Sequence, residues 1–173
     1  MTAVETIGAL FAGPGARDHM GEPVPIGEHM LQAGALAEAA GAEAPLVVAA
    51  LLHDIGHLLG EDAEDRHGET GARWLGQWFG PPVTEPVRLH VPAKRYLCGA
   101  DAGYSGLLSA ESVRTLALQG GAMTAAEMTA FEALPFARDA VAVRRWDDQA
   151  KDPAVTAPSF AHFAPLLAAL VRS

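Results

Sequence analysis

The sequence predicts an all-α fold, a bundle of about eight helices in a single domain spanning residues 1–173. Three observations predict it. Alternation of apolar and polar residues with period two is nearly absent. Apolar residues recur at helical spacing through most of the chain, and half of all residues are hydrophobic. Start and stop signals punctuate those stretches: a Thr-x-x-Glu capping box at Thr124 and Glu127, prolines at helix starts, and glycines just past helix ends.

Taken in order, residues 1–12 read as a short helix and residues 13–27, rich in Gly and Pro, as a loop. A helix from about Glu28 stops at Gly41, and another opens at Pro45 and closes at Gly60. Residues 67–79 form the next, ending at Gly80-Pro81-Pro82. Thr84 caps a helix running to about Leu97, in which Pro92 removes one backbone bond and introduces a kink. Ser109 starts a helix through Gln119, stopped by Gly120-Gly121. The Thr124 capping box opens another, and 136–151 and 159–171 complete the set.

Composition narrows the function. Lys plus Arg number 12 against 21 Asp plus Glu, a net charge of −9. A nucleic-acid partner is disfavoured, because affinity for the phosphate backbone depends on cations. A small anion is still compatible, since it needs only a local cation cluster. No apolar run reaches the roughly 18 residues of a membrane span, and no leader pattern opens the chain. Cys98 is the sole cysteine, so no internal disulfide can form. These features predict a cytoplasmic protein with no membrane partner.

The strongest chemical signal is Leu51-Leu52-His53-Asp54-Ile55-Gly56-His57. Three ionisable groups in an almost wholly apolar helix are costly unless paired or bound to a metal. A lone histidine there is ordinarily a core residue with a backbone partner, but His-Asp-x-x-His asks for more. His53 and His57, four apart, share a helix face, and Asp54 adjoins His53. His29 precedes them, His67 and His90 follow on the next two helices, and Asp147 sits in Arg144-Arg145-Trp146-Asp147-Asp148. Imidazole and carboxylate donors without thiolate suit first-row metals such as iron or manganese.

These residues resemble the HD-domain superfamily, whose pattern is His…His-Asp…Asp on helices; His29, His53-Asp54 and Asp147 fit it. The resemblance is closer to the superfamily's phosphonate-degrading oxygenase branch, related to inositol oxygenase, and covers about His19 to Leu167. It is carried most specifically by 84–98 (TEPVRLHVPAKRYLC) and 144–151 (RRWDDQAK), with support from 118–123. The resemblance implies a compact HD-type bundle holding two iron ions in a mixed-valent Fe(II)/Fe(III) state, with O2 as co-substrate. It implies cleavage of the carbon–phosphorus bond of a 1-hydroxyphosphonate, such as 2-amino-1-hydroxyethylphosphonate, its N-methylated form or hydroxymethylphosphonate, releasing inorganic phosphate. An upstream hydroxylase would supply that substrate. His29, His53, Asp54 and Asp147 would serve one iron, and Asp54, His67 and His90 the other, with Asp54 bridging.

The same resemblance places His57, Lys94, Ser112, Thr115 and Arg144 against the phosphonate oxygens. Lys94 is four residues after His90 and Arg144 three before Asp147, so each stands one turn from a ligand. Lys151, four after Asp147, reads equally as a support to the site or a surface charge. Glu22 would meet an amine or ammonium group on the substrate. The chain departs from the family at His19, where a tyrosine that ligates iron until substrate displaces it is often found. His19 reads either as an alternative displaceable ligand or as a loop residue. Two rival functions stand beside the oxygenase: an HD-type phosphohydrolase acting on a nucleotide or phosphoester, and a non-catalytic scaffold, against which the intact ligand set argues.

Overall fold

Helix starts fall where capping chemistry places them. In the computed structural model, which describes residues 1–60 and 66–172, Thr2 accepts a hydrogen bond from the Glu5 amide at 3.2 Å while the Glu5 carboxylate accepts from the Thr2 amide at 2.8 Å, opening α1 (Ala3–Ala12). Thr124 and Glu127 form the same reciprocal box for α7 (Ala125–Glu132), and Ser109 caps α6 (Ala110–Leu118). The remaining α-helices are α2 (Ile26–Ala39), α3 (Ala44–Leu52), α4 (His67–Leu75), α5 (Pro81–Ala100), α8 (Ala137–Gln149) and α9 (Phe160–Leu170). No strand occurs among the described residues.

Four boundaries differ from expectation, each for a local reason. Helix α2 begins at Ile26, directly after the extended Pro25, so the supposed loop 13–27 is shorter and also holds a 3-10 turn at Gly15–Arg17. Helix α4 stops at Leu75, with Gly76 as its cap. Helix α5 begins at Pro81 rather than Thr84: Gly80 is its cap, the two prolines fill the first turn where no amide partner is needed, and the Thr84 hydroxyl donates back to the Gly80 carbonyl at 3.3 Å. It continues through Pro86 and Pro92 to Ala100.

The fourth difference shapes the site. The helix expected from Pro45 to Gly60 ends at Leu52; His53 and Asp54 form a turn, Ile55–Leu59 tighten into a 3-10 turn, and left-handed Gly60 (φ 73°) closes it. Neighbouring residues on a continuous helix point in divergent directions. The break lets adjacent His53 and Asp54 converge, their Nε2 and Oδ2 atoms lying 3.4 Å apart.

Helices α2, α3, α5 and α8 pack around this break, with α4 against α5 and the 3-10 turn. Their core includes Met30, Val48, Leu51, Leu52, Ile55, Leu75, Phe163 and Leu167, all fully buried. Each such side chain contributes about 1.5–3 kcal/mol. A second cluster of Leu89, Ala93, Phe131, Ala137 and Ala140 joins α5, α7 and α8. Helix α6 is different: of its residues only Ser112 is buried, while Val113 and Leu118 face solvent. It is tied to α5 and α8 by polar side-chain bonds.

Close approach of the 3-10 turn to α4 requires Gly56, since a β-carbon there would stand 2.1 Å from the His67 carbonyl oxygen. Gly56→Ala is therefore expected to lower stability by about 1–3 kcal/mol or more through overpacking. Thermal unfolding of the metal-free protein should show a Tm drop of roughly 3–10 °C; an unchanged Tm would mean that the two segments do not meet this closely.

Candidate functional site

Four helices and the break deliver six side chains able to bind metal to one place. His29 comes from α2, His53 and Asp54 from the turn after α3, His67 from the first position of α4, His90 from α5 and Asp147 from α8. His29, His53 and Asp147 form one group whose donor atoms lie within 4.8 Å of one another, and Asp54, His67 and His90 form a second.

Imidazole hydrogen bonding fixes which nitrogen faces the centre. The Nδ1 atoms of His29, His53 and His90 lie 2.9, 2.8 and 2.7 Å from the carbonyl oxygens of Ala150, Ala50 and Val87. A carbonyl can only accept, so each Nδ1 carries the hydrogen and each neutral ring presents an Nε2 lone pair. Yet the Nε2 atoms of His29 and His53 stand 3.0 Å apart, and those of His67 and His90 2.9 Å apart. In the His29–His53 pair two lone pairs at that distance repel unless a cation lies between them, a proton or a metal ion; in the second pair the His90 lone pair meets either a hydrogen on His67 Nε2 or a cation.

Asp54 joins the two groups. Its Oδ2 lies 3.5 Å from His29 Nε2 and 3.4 Å from His53 Nε2, while its Oδ1 lies 3.2 Å from His67 Nε2 and 3.4 Å from His90 Nε2. Asp147 Oδ1 adds a 3.3 Å contact to His29 and 3.8 Å to His53. In an octahedral shell, neighbouring donors are separated by √2 times the metal–ligand bond, or about 3.0 Å for a bond of about 2.1 Å. The donor set therefore fits two borderline divalent or trivalent ions sharing one carboxylate.

Electrostatics agree. Burial would raise the Asp54 pKa, but His53, His29 and His67 hold it well below the usual carboxylate range. Burial is likewise overcome at Asp147, chiefly by Arg144. Burial would lower His29, yet its bonds to Asp147 and Asp54 raise it to about 10. Burial, reinforced by His67 and His53, pushes His90 down to about 4. Without metal the first group thus retains a proton that a metal ion must displace.

Above these ligands opens a cavity of about 330 Å3. All the residues singled out from the sequence line it except His53, which is fully buried beneath. Lys94 is 2% exposed; its Nζ donates to Thr115 Oγ1 at 2.9 Å and to the Ser112 carbonyl at 3.4 Å. No carboxylate lies within ion-pair distance of it among the described residues. Burial, with Arg144 nearby, lowers its pKa to about 8. Arg144 is buried and bonded to Asp147 Oδ2 at 2.7 Å, to Asp148, and to Ser112 Oγ at 3.3 Å. The His57 ring stacks on that of His67, with centroids 4.1 Å apart. Because the helix breaks before it, His57 does not extend the helix face of His53 as four-residue spacing suggests.

At the mouth, Glu22 accepts from Lys151 at 2.8 Å and from Ser109 at 2.7 Å, which turns Lys151 into a strut of the site. His19 is exposed, its Nδ1 3.2 Å from the Glu22 carbonyl oxygen, and it belongs to neither metal-capable group. Sequence reasoning missed three residues. Ser109 was legible only as a helix cap, and Asp148 only as the neighbour of Asp147. Tyr104, buried and bonded to both Arg144 and Asp148, lies in a Gly-rich stretch that carries no periodic signal.

Metal analysis tests the arrangement. Reconstituted protein should hold about two ions per chain, Asp54→Ala close to none, and His67→Ala about one. Two ions retained by Asp54→Ala would place the bridge elsewhere.

Comparison with known proteins agrees with this geometry. The HD domain profile matches residues 26–119, which contain five of the six side chains; Asp147 lies beyond it. The chain is 43% identical, over 97% of its length and 90% of the relative's, to [1-hydroxy-2-(trimethylamino)ethyl]phosphonate dioxygenase (glycine-betaine-forming) of Leisingera caerulea. It is 48% identical to hydroxymethylphosphonate dioxygenase of Gimesia maris, over 79% of the chain and 72% of the relative. The chain belongs to the HD-domain family, within the group that includes these hydroxyphosphonate dioxygenases.

Proposed function

We propose that this protein is a non-heme diiron oxygenase that cleaves the C–P bond of a 1-hydroxyphosphonate with O2 and releases inorganic phosphate. One observation carries the reading: Lys94, a buried lysine with no carboxylate partner among the described residues, faces the same cavity as two histidine pairs joined by Asp54. The two relatives named as dioxygenases favour it over the phosphohydrolase.

His29, His53, Asp54 and Asp147 would hold one iron, and Asp54, His67 and His90 the other. Bound there in the mixed-valent state, the pair would supply O2 activation and Lewis acidity toward the substrate. The protein's own residues do the rest. Lys94, Arg144, Ser112, Thr115 and His57 hold the phosphonate oxygens by charge-assisted and hydroxyl hydrogen bonds. Glu22, braced by Lys151 and Ser109, borders the space for the C1 substituent, and His19 closes the mouth as a displaceable group. In the net reaction the C–P bond breaks, one oxygen of O2 goes to the new carboxylate and one to phosphate, and a proton is released. An upstream cytoplasmic hydroxylase makes the substrate from a simple phosphonate.

In air, phosphate release and O2 uptake should be equal on the best 1-hydroxyphosphonate, with no turnover without O2. Oxygen-independent hydrolysis of a phosphoester at a comparable rate would support the phosphohydrolase instead. A charge-assisted bond contributes about 1.5–3 kcal/mol, so Lys94→Ala should reduce kcat/KM by roughly 10- to 150-fold with metal content unchanged. The sign of the pH effect follows from Lys94. Its pKa in the free enzyme is lowered to about 8, so its charge is present below that pH and lost above it. The kcat/KM of the wild type should fall as pH rises through about 8, and Lys94→Ala should lack that descent. A flat wild-type profile from pH 7 to 9 would remove Lys94 from the clamp.

A further inference from the structure

Residues 101–107 are exposed on the surface with one exception: Tyr104, 2% exposed, turns inward at the start of the 3-10 turn Tyr104–Leu107. What it meets is not apolar core but the back of Arg144. The Arg144 Nε donates to the Tyr104 hydroxyl oxygen at 3.1 Å. The Tyr104 hydroxyl donates its own hydrogen to Asp148 Oδ2, and Asp148 Oδ1 accepts from Arg144 Nη2. The three side chains thus close a ring. Burial, in a site that also holds Asp148, keeps the phenol protonated well beyond the ordinary tyrosine range, so it remains a donor.

The two edges of the guanidinium face different surroundings. Partners of Nη1 and Nη2 on one edge, Asp147 and Ser112, line the cavity; Tyr104, the partner of Nε, does not. A guanidinium presents five N–H groups in a rigid plane, so the bond that holds Nε decides where the other four point. We propose that Tyr104 is a positioning residue for Arg144: by occupying Nε and one oxygen of Asp148 together, its hydroxyl keeps the Nη edge turned toward the cavity where the phosphonate binds. The inference rests on the reading of Arg144 as a phosphonate ligand. Without the hydroxyl, Asp148 Oδ2 has no donor from Tyr104 and turns to a second N–H of Arg144. That bidentate pairing swings the guanidinium toward Asp148 and away from Ser112.

Tyr104→Phe keeps the ring and removes only the hydroxyl. The KM for the best 1-hydroxyphosphonate should rise about 10-fold, because the re-paired Arg144 no longer presents its Nη edge to the phosphonate, with kcat falling less than threefold and metal content constant. Asp148→Asn breaks the same ring from the other side and should raise KM in the same direction. A double-mutant cycle separates positioning from mere packing. In an Arg144→Lys background, which has no Nε to hold, Tyr104→Phe should change KM less than twofold; in a Lys94→Ala background it should keep its full effect. An equal effect of Tyr104→Phe in all three backgrounds, or wild-type KM in both Tyr104→Phe and Asp148→Asn, overturns the positioning role while leaving the oxygenase reading intact. A wild type that turns over no 1-hydroxyphosphonate in air overturns that reading, and the positioning role with it.

Discussion

Two pairs of imidazoles meet with their Nε2 atoms 3.0 and 2.9 Å apart, and in the first, where both His29 and His53 keep the hydrogen on Nδ1, neutral rings cannot hold that separation without a cation between them. Much of the surrounding fold serves that constraint. Helix α3 ends at Leu52, so the Ala50 carbonyl is among its last four and takes the His53 ring hydrogen. The chain tightens at Ile55–Leu59, which brings Asp54 beside His53 and the Gly56 backbone against the start of α4, where His67 stands. The end of α8 provides the Ala150 carbonyl that orients His29. Helix ends, with their unsatisfied carbonyls, thus aim His53 and His29, while the Val87 carbonyl within α5 aims His90.

Charge explains the second layer. A chain of net charge −9 repels an anion at long range, and most cations around the cavity are already matched. Arg144 answers Asp147 and Asp148, Lys151 answers Glu22, and Arg114 answers Glu111. Lys94 is the exception: a buried ammonium whose described partners are a hydroxyl and a carbonyl. Burying such a charge lowers its pKa toward neutrality, a cost that the proposed phosphonate dianion would offset. Helix α6 contributes Ser112 and Thr115 while its apolar residues Val113 and Leu118 face solvent. The polar bonds of those two residues hold it where hydrophobic packing does not.

The sequence was most readable where function and local chemistry coincide. The capping box at Thr124 marks a true helix start, and the six metal-capable side chains could be picked by type and helical placement because ionisable groups in apolar helices demand partners. The break at His53-Asp54 could not be read, because Leu51 through Leu59 keeps an apolar pattern that a continuous helix would share; tertiary contact with α4 decides it. Pairings between distant segments were equally hidden. Glu22 meets Lys151 across 129 positions, and Tyr104 meets Arg144 across 40. Neither has a local signature, and Tyr104 lies in a turn whose other residues are exposed.

The central claim is that Asp54 couples two metal ions held by the two histidine pairs. Anaerobic reconstitution with Fe(II), brief exposure to air and electron paramagnetic resonance test it most directly. Two irons sharing a carboxylate should pass through a state with one Fe(II) and one Fe(III), whose spins couple into a single half-integer signal that 1-hydroxyphosphonate perturbs. A spectrum containing only isolated high-spin Fe(III), at one iron per chain, would contradict the account.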